Sequence, residues 1–295
     1  MKIVSFVTVA NSQYFEPLYV LVNQVKKLYP ESKLYVYNTG LTAEQLDSLR
    51  AQANVDIHDW ELKFVDIDLD LYGLAFWQKL LGIRRFRDIF YKIRKRIKFV
   101  ESRNLFNWIK FEIKIYNNLL CVKDFHQRIG GKFIFIDADA FPISRMDELL
   151  DETFDIGLTV RRRDEFSYKY NACEVINAGV MFFLGDNTKN QAFIEAWKEE
   201  TDNTKEIISI QTSLVRMLDK QKKEICNKVG EVSELYFQDT PIRVKILPCE
   251  IYNYNWIEEF DTERDRDKVK ILHFKSGRFE TPLFKKIATK LDIDI

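Results

Sequence analysis

Two aspartates, Asp137 and Asp139, stand one residue apart at the end of an unbroken apolar run, Phe133-Ile134-Phe135-Ile136. Gly130-Gly131 bound the run on one side and Pro142 on the other. Such a run suits a strand buried on both faces of a parallel sheet, and in such sheets ligands collect at the carboxyl ends of the strands. If the extended backbone continues, its period of two puts both carboxylates on one face, separated by the small Ala138. Carboxylates held that close repel unless one is protonated or a cation lies between them. A divalent ion with hard oxygen ligands, Mn²⁺ or Mg²⁺, resolves the repulsion and keeps positions for water and substrate phosphate. The alternative is that the pair merely begins a solvated turn.

The elements that must hold this pair alternate. Lys2 to Val9 reads as a first strand, and Glu16 to Leu28 carries Leu18, Leu21, Val22, Val25 and Leu28 at helical spacing before Pro30. Lys33 to Asn38 alternates as a second strand, and Thr42 with Gln45 three residues on forms a capping-box pattern at a helix start. Val55 to Ile57 and Lys63 to Ile67 are further candidate strands. Strand, helix, strand, helix, strand predicts an α/β fold with a Rossmann-like, mostly parallel central sheet flanked by helices. That order alone says little about chemistry. It does place Thr8, Asn11 and Tyr14 at the carboxyl end of the first strand, on the same sheet edge as Asp137 and Asp139. Further on, Asp155 to Val160 reads as a strand running into Arg161-Arg162-Arg163. Val175 to Phe183 is a second apolar run that includes Asn177-Ala178-Gly179. Gln191 to Trp197 and Ser209 to Leu218 are helical, Val244 to Leu247 and Val269 to Phe274 are strands, and Pro282 to Leu291 closes as a helix.

At 295 residues the chain is expected to form one domain over 1–295, with an insertion at about 72–105. Lys+Arg and Asp+Glu are equal at 45 each, so overall charge predicts no polyanionic partner, and nucleic acid is not expected. Cys121, Cys173, Cys226 and Cys249 are dispersed, without a CxxC pair, which argues against a zinc site or a disulfide framework. The short apolar start is interrupted by Ser5 and Thr8 and reads as a strand rather than a signal peptide. No run approaches the roughly 18 apolar residues of a membrane span, so a cytoplasmic location is the expectation.

Between Ile83 and Arg103 the distribution of charge is uneven: nine basic residues stand against Asp88 and Glu101. Ile83, Phe86, Phe90, Ile93, Ile97 and Val100 recur near helical period. One reading of this basic amphipathic segment over 74–100 is adsorption to an anionic surface, the inner face of a membrane, each basic side chain contributing about 1 kcal/mol; nucleic-acid binding is a weaker one. The same pattern also fits a helix packed by its apolar stripe with a solvated basic face.

Several stretches carry a resemblance in chain order. Thr8 and Asn11 follow the opening strand, and Tyr37-Asn38-Thr39-Gly40-Leu41-Thr42 follows the second. Trp108-Ile109-Lys110 precedes Phe135-Ile136-Asp137-Ala138-Asp139; Ile176-Asn177-Ala178-Gly179-Val180-Met181 and Ile271-Leu272-His273-Phe274 come later. Together, over most of the chain, these resemble the nucleotide-sugar glycosyltransferases of the GT-A fold, in particular glycosyltransferase family 8. The resemblance implies transfer from a UDP-sugar to a glycan or glycolipid acceptor, with retention of configuration. It implies that His273 joins Asp137 and Asp139 as a ligand of Mn²⁺ or Mg²⁺, and that Lys110 and Lys275 contact the diphosphate. Thr8, Asn11, Tyr14, Ala138 and Gly179 would border the donor. Asn177 would hydrogen-bond the donor sugar and Gln211 would lie near its anomeric carbon, so that the implied catalytic set is Asn177, Gln211 and Asp139.

The sequence departs from that pattern at Ile210, where an acid is expected before Gln211, and in the late motif, where Gly277 comes one place late and Arg278 follows. Two other classes compete. A nucleotide- or carbohydrate-binding protein could keep the fold without turnover. A haloacid-dehalogenase-like phosphatase also has an Asp-x-Asp after an apolar strand, but near its start, whereas here the motif lies mid-chain and Ala140-Phe141 follows.

Overall fold

The computed structural model describes residues 3–63, 100–151, 153–162, 172–204, 208–275 and 281–293, with 100–110 described by backbone alone. The expected strand beyond residue 63 and the basic segment at 74–100 lie outside the described residues, apart from the helical backbone at Val100.

The first half runs β1 (Ser5–Ala10), α1 (Phe15–Leu28), β2 (Leu34–Asn38), α2 (Ala43–Arg50), β3 (Val55–Asp59), α3 (Val100–Arg128), β4 (Phe133–Ile136) and β5 (Ala140–Pro142). The second runs α4 (Asp147–Asp151), β6 (Ile156–Val160), α5 (Ala172–Val175), β7 (Ile176–Phe183), α6 (Asn187–Asn203), α7 (Ser209–Gln221), β8 (Val232–Phe237) and β9 (Thr240–Pro248). Then come α8 (Cys249–Tyr252), α9 (Thr262–Asp265), β10 (Ile271–His273) and α10 (Pro282–Lys290). The capping box at α2 forms as expected: Gln45 N donates to Thr42 Oγ1 at 3.3 Å, and Gln45 Oε1 accepts from Thr42 N at 3.0 Å.

Eight strands make one sheet in the order β3-β2-β1-β4-β7-β6-β9-β8. β1–β2, β2–β3, β1–β4 and β6–β9 pair in parallel, so the sheet is mostly parallel. The strand before the aspartates differs from expectation in one respect. β4 is parallel to β1 but antiparallel to β7. Its apolar run follows from burial on both faces, whichever way its neighbours point: Phe133 and Phe135 enter one core cluster, Ile134 and Ile136 the other. The reversal brings the start of β7 beside the end of β4. Ile136 pairs with Val180, and Asp137 N donates to Gly179 O at 2.8 Å.

A second, two-stranded sheet sets β10 antiparallel to β5, with His273 opposite Ala140. The β8–β9 hairpin was not expected from the sequence. None of the four cysteines forms a disulfide, and Cys121, Cys226 and Cys249 are buried. Among the described residues no helix is long and apolar enough to cross a membrane.

Candidate functional site

Beyond Ile136 the chain leaves the strand. Ala140 N donates to Asp137 O at 2.9 Å, closing a tight turn over 137–140 before β5 begins. The expected continuation of the extended backbone therefore does not occur; the turn, rather than the pleat, brings the aspartates together. Phe274 N donates to Asp139 O at 2.8 Å, so the late strand β10 is fastened to the same turn.

This pairing delivers His273. Ligand atoms of Asp137, Asp139 and His273 all lie within 4.8 Å of one another. His273 Nε2 is 3.2 Å from Asp139 Oδ1 and 3.7 Å from Asp137 Oδ2. Its other nitrogen, Nδ1, is 2.7 Å from Asn253 Oδ1. The orientation of Asn253 follows from its surroundings. Its Nδ2 lies 3.1 Å from Asn177 O, which can only accept, and 2.8 Å from Thr159 Oγ1. Oδ1 is therefore the acceptor and Nδ1 of His273 donates to it, which leaves Nε2 as the nitrogen that faces the two carboxylates. Two hard oxygen donors and one neutral imidazole nitrogen, fixed by a hydrogen bond from behind, fit a divalent cation.

Burial pushes the Asp137 carboxyl above its usual range; His273, in its protonated form, opposes this and the charge of Asp139 adds to it. Asn118 Nδ2 reaches Asp137 Oδ1 at 3.4 Å. Gly179 closes the arrangement, because a Cβ there would lie 2.7 Å from Asp137 Oδ2 and closer still to His273.

The triangle lies in the lining of a pocket of about 360 Å³. Val9, Tyr14, Phe111, Lys114, Ile115, Asn118, Arg161, Asn177, Ala178, Gly179, Ile208, Ile210, Gln211 and Lys275 line the same pocket. Of the residues singled out from the sequence, Tyr14, Asp137, Ala138, Asp139, Asn177, Gly179, Gln211, His273 and Lys275 are thus brought together. Thr8 and Asn11 do not line the cavity: Thr8 is fully buried in β1, and Asn11 accepts from Gln13 N at 3.1 Å as the cap of a short turn. The side chain of Lys110 lies outside the described residues.

Gln211 is held by backbone. Its Nε2 donates to Cys173 O at 2.8 Å and its Oε1 accepts from Ala178 N at 3.1 Å, so its amide straps α5 to the opening of β7. Asn177 Oδ1 accepts from Gly179 N at 3.3 Å, while its buried Nδ2 has no partner. The helix that presents Gln211 starts at Ile208, a β-branched residue in the left-handed region (φ 50°). A carboxylate from α3 holds that start: Glu112 accepts from Ile208 N, and from Ser209 N and Ser209 Oγ at 3.2 Å each. Burial raises the Glu112 pKa even though these hydrogen bonds oppose the rise.

Sequence reasoning did not single out Lys114, Asn118, Asn253 or Glu112. Lys114 Nζ lies 3.6 Å from the centroid of the Tyr14 ring. Lys114 and Asn118 are four apart on α3 and share a face, a spacing visible in sequence. Burial, and next the charge of Arg161, bring the Lys275 ammonium down to about 8.

No protein-family model and no curated protein matches the sequence. Solved structures do match in fold. The galactosyltransferase LgtC, in complex with donor and acceptor sugar analogs, superposes with a TM-score of 0.53 at 13% identity, covering 99% of this chain and 96% of that one. The apo glycosyltransferase GlyE of Streptococcus pneumoniae TIGR4 gives 0.51 at 14%, covering all of this chain and 61% of its own. The apo bifunctional glycosyltransferase WbbM gives 0.50 at 15%, covering 97% of this chain and 51% of its own. The α/β architecture is therefore that of the GT-A glycosyltransferases, and this chain spans only part of the length of GlyE and WbbM.

Proposed function

We propose that this chain is a metal-dependent glycosyltransferase moving a sugar from a nucleotide-sugar donor, a UDP-sugar, to a glycan or glycolipid acceptor with retention. The observation that carries this reading is the convergence of Asp137, Asp139 and His273, its Nδ1 held by Asn253, in the lining of one pocket. These three residues would hold Mn²⁺ or Mg²⁺, whose positive charge offsets the charge developing on a diphosphate leaving group. Lys114 and Lys275 supply cations beside that position, as compact ammonium groups do for phosphate oxygens. Tyr14, on the β1 side, borders the nucleoside, and the unpartnered Nδ2 of Asn177 is left to donate to a sugar hydroxyl. Gln211 keeps one amide hydrogen beyond its contact with Cys173 O and acts near the reacting carbon or by holding Asn177-Ala178-Gly179 in place. In this reading the whole of 1–295 works as one transferase unit in the cytoplasm, and the basic segment at 74–100 docks it on the inner face of the membrane.

The test is thermal unfolding with a panel of nucleoside diphosphates, each with and without Mn²⁺. A ligand that binds only the folded state raises the melting temperature by mass action. We expect UDP to raise it in the presence of Mn²⁺ and not without, and Asp139→Ala to abolish the effect. No response to any nucleotide, with or without Mn²⁺, would sink the reading. A non-catalytic binding protein is the second reading, favoured by the commitment of Gln211 to backbone partners. Release of UDP from a bound UDP-sugar, with or without acceptor, excludes it.

A further inference from the structure

Charge in the pocket does not balance for a nucleotide-sugar donor with an uncharged sugar. Among the described residues, its lining carries two carboxylates, Asp137 and Asp139, and three cations, Lys114, Arg161 and Lys275. A divalent ion neutralises the carboxylates, and the two negative charges of an esterified diphosphate match Lys114 and Lys275. Arg161 is left over.

Its setting is unlike that of its neighbour. Arg162 stacks 4.3 Å from the Trp256 ring centre and lies 3.7 Å from Glu259 Oε2. Arg161 has no carboxylate partner among the described residues, and its Nε is buried without a hydrogen-bond acceptor. A buried guanidinium nitrogen left unmatched is costly, and a guanidinium is the group that takes a carboxylate or phosphate through paired hydrogen bonds. Sheet order fixes where such a group would sit. Arg161 follows β6 and Tyr14 follows β1, on opposite sides of β4 and its aspartates. With the nucleoside at Tyr14, Arg161 stands on the side where sugar is transferred.

We infer that Arg161 recognises an anionic group, a carboxylate or phosphate, on the saccharide bound at the transfer side of the pocket. The inference rests on the proposed function, and the two fail separately. Absence of Mn²⁺-dependent UDP binding would overturn the transferase reading, whereas intact UDP binding without charge preference would overturn this inference alone.

Two arms locate the anion. In the first, full-length protein saturated with UDP and Mn²⁺ is titrated with methyl glucuronide, methyl glucoside, and the 6-phosphate of methyl glucoside. In the second, UDP-glucuronate is compared with UDP-glucose on the Mn²⁺-loaded protein. We expect a charged probe to bind about tenfold or more tightly than its neutral counterpart in one arm, the scale of a charge-assisted bidentate contact. Preference in the first arm puts the anion on the acceptor; in the second, on the donor sugar. Arg161→Gln should remove the preference and Arg162→Gln should leave it. Arg161→Lys, which keeps the charge but loses the fork, should retain part of it and serves if the glutamine variant does not fold. Equal binding of charged and neutral probes in both arms, or a preference that survives in folded Arg161→Gln, overturns the inference.

Discussion

Gly179 and His273 are packed so closely that a Cβ built on the glycine would stand 2.4 Å from the imidazole Cε1. The glycine is thus required by the close approach of the His273 ring. Gly179→Ala should displace His273 or Asp137, because neither is the loose end of a flexible chain. We expect Mn²⁺ affinity to fall about tenfold to a hundredfold, the range seen when a metal ligand is disoriented. Calorimetric titration with Mn²⁺ checks this, and unchanged affinity would show that the site tolerates the methyl.

Asn253 acts on the same imidazole from behind. Asn253→Leu removes the acceptor that holds the proton on Nδ1, and with it the bridge to Thr159 and Asn177 O. The expected result is Mn²⁺ binding weakened about tenfold or more, with UDP-dependent stabilisation reduced in step. Full Mn²⁺ affinity in this variant would mean that packing alone orients His273.

Glu112→Ala leaves the Ile208 and Ser209 amides without their shared acceptor at the left-handed start of α7. Loss of about 2–3 kcal/mol is expected from an unsatisfied, formerly charge-capped helix start. Glu112→Gln, which can still accept, should lose less. Urea unfolding of the two variants separates these outcomes; equal losses would argue against capping as the role of the side chain.

Asp155 sets an acid limit on stability. Burial raises its pKa, but hydrogen bonds from Arg243 and Lys189 outweigh that and hold the carboxyl below its usual range. A carboxyl more acidic in the folded than in the unfolded state stabilises above its unfolded pKa of about 3.9 and loses that contribution as pH falls through the folded value. Asp155→Asn should therefore cost about 2–4 kcal/mol near neutrality, and the gap from the parent should close below pH about 4. Melting curves from acid to neutral pH measure it; a gap independent of pH would assign the loss to packing.

The alternating half of the fold could be read from sequence because its signals are local. Leu18, Leu21, Val22 and Val25 repeat at helical spacing and Thr42 with Gln45 marks a helix start, both features that survive in the structure. The β8–β9 hairpin was missed although Val232 to Phe237 alternates exposed and buried, because Gln238 and Asp239 make the turn. Both have positive φ, a conformation usually advertised by Asn-Gly. The aspartates and His273 were visible by type and place, but the direction of β7 was not, since a strand buried on both faces shows the same apolar run in either orientation. Asn253 offered no local cue at all: its role depends on an imidazole, a threonine and a carbonyl that only the fold gathers.

The pairing of β10 with β5 has a consequence for the order in which the molecule assembles. Asp137 and Asp139 belong to the middle of the chain, and the imidazole that completes their triangle arrives with one of its last strands. During synthesis, an emerging chain carries the aspartate turn long before it carries His273, and in that interval it holds only part of the donor set. Closing the long loop between them is an entropic cost borne by backbone pairing and by the packing of Phe141 against Phe274. In the metal-dependent reading, tight capture of an ion would thereby be deferred until β10 has paired, and a bound ion would act as a seal on that late step.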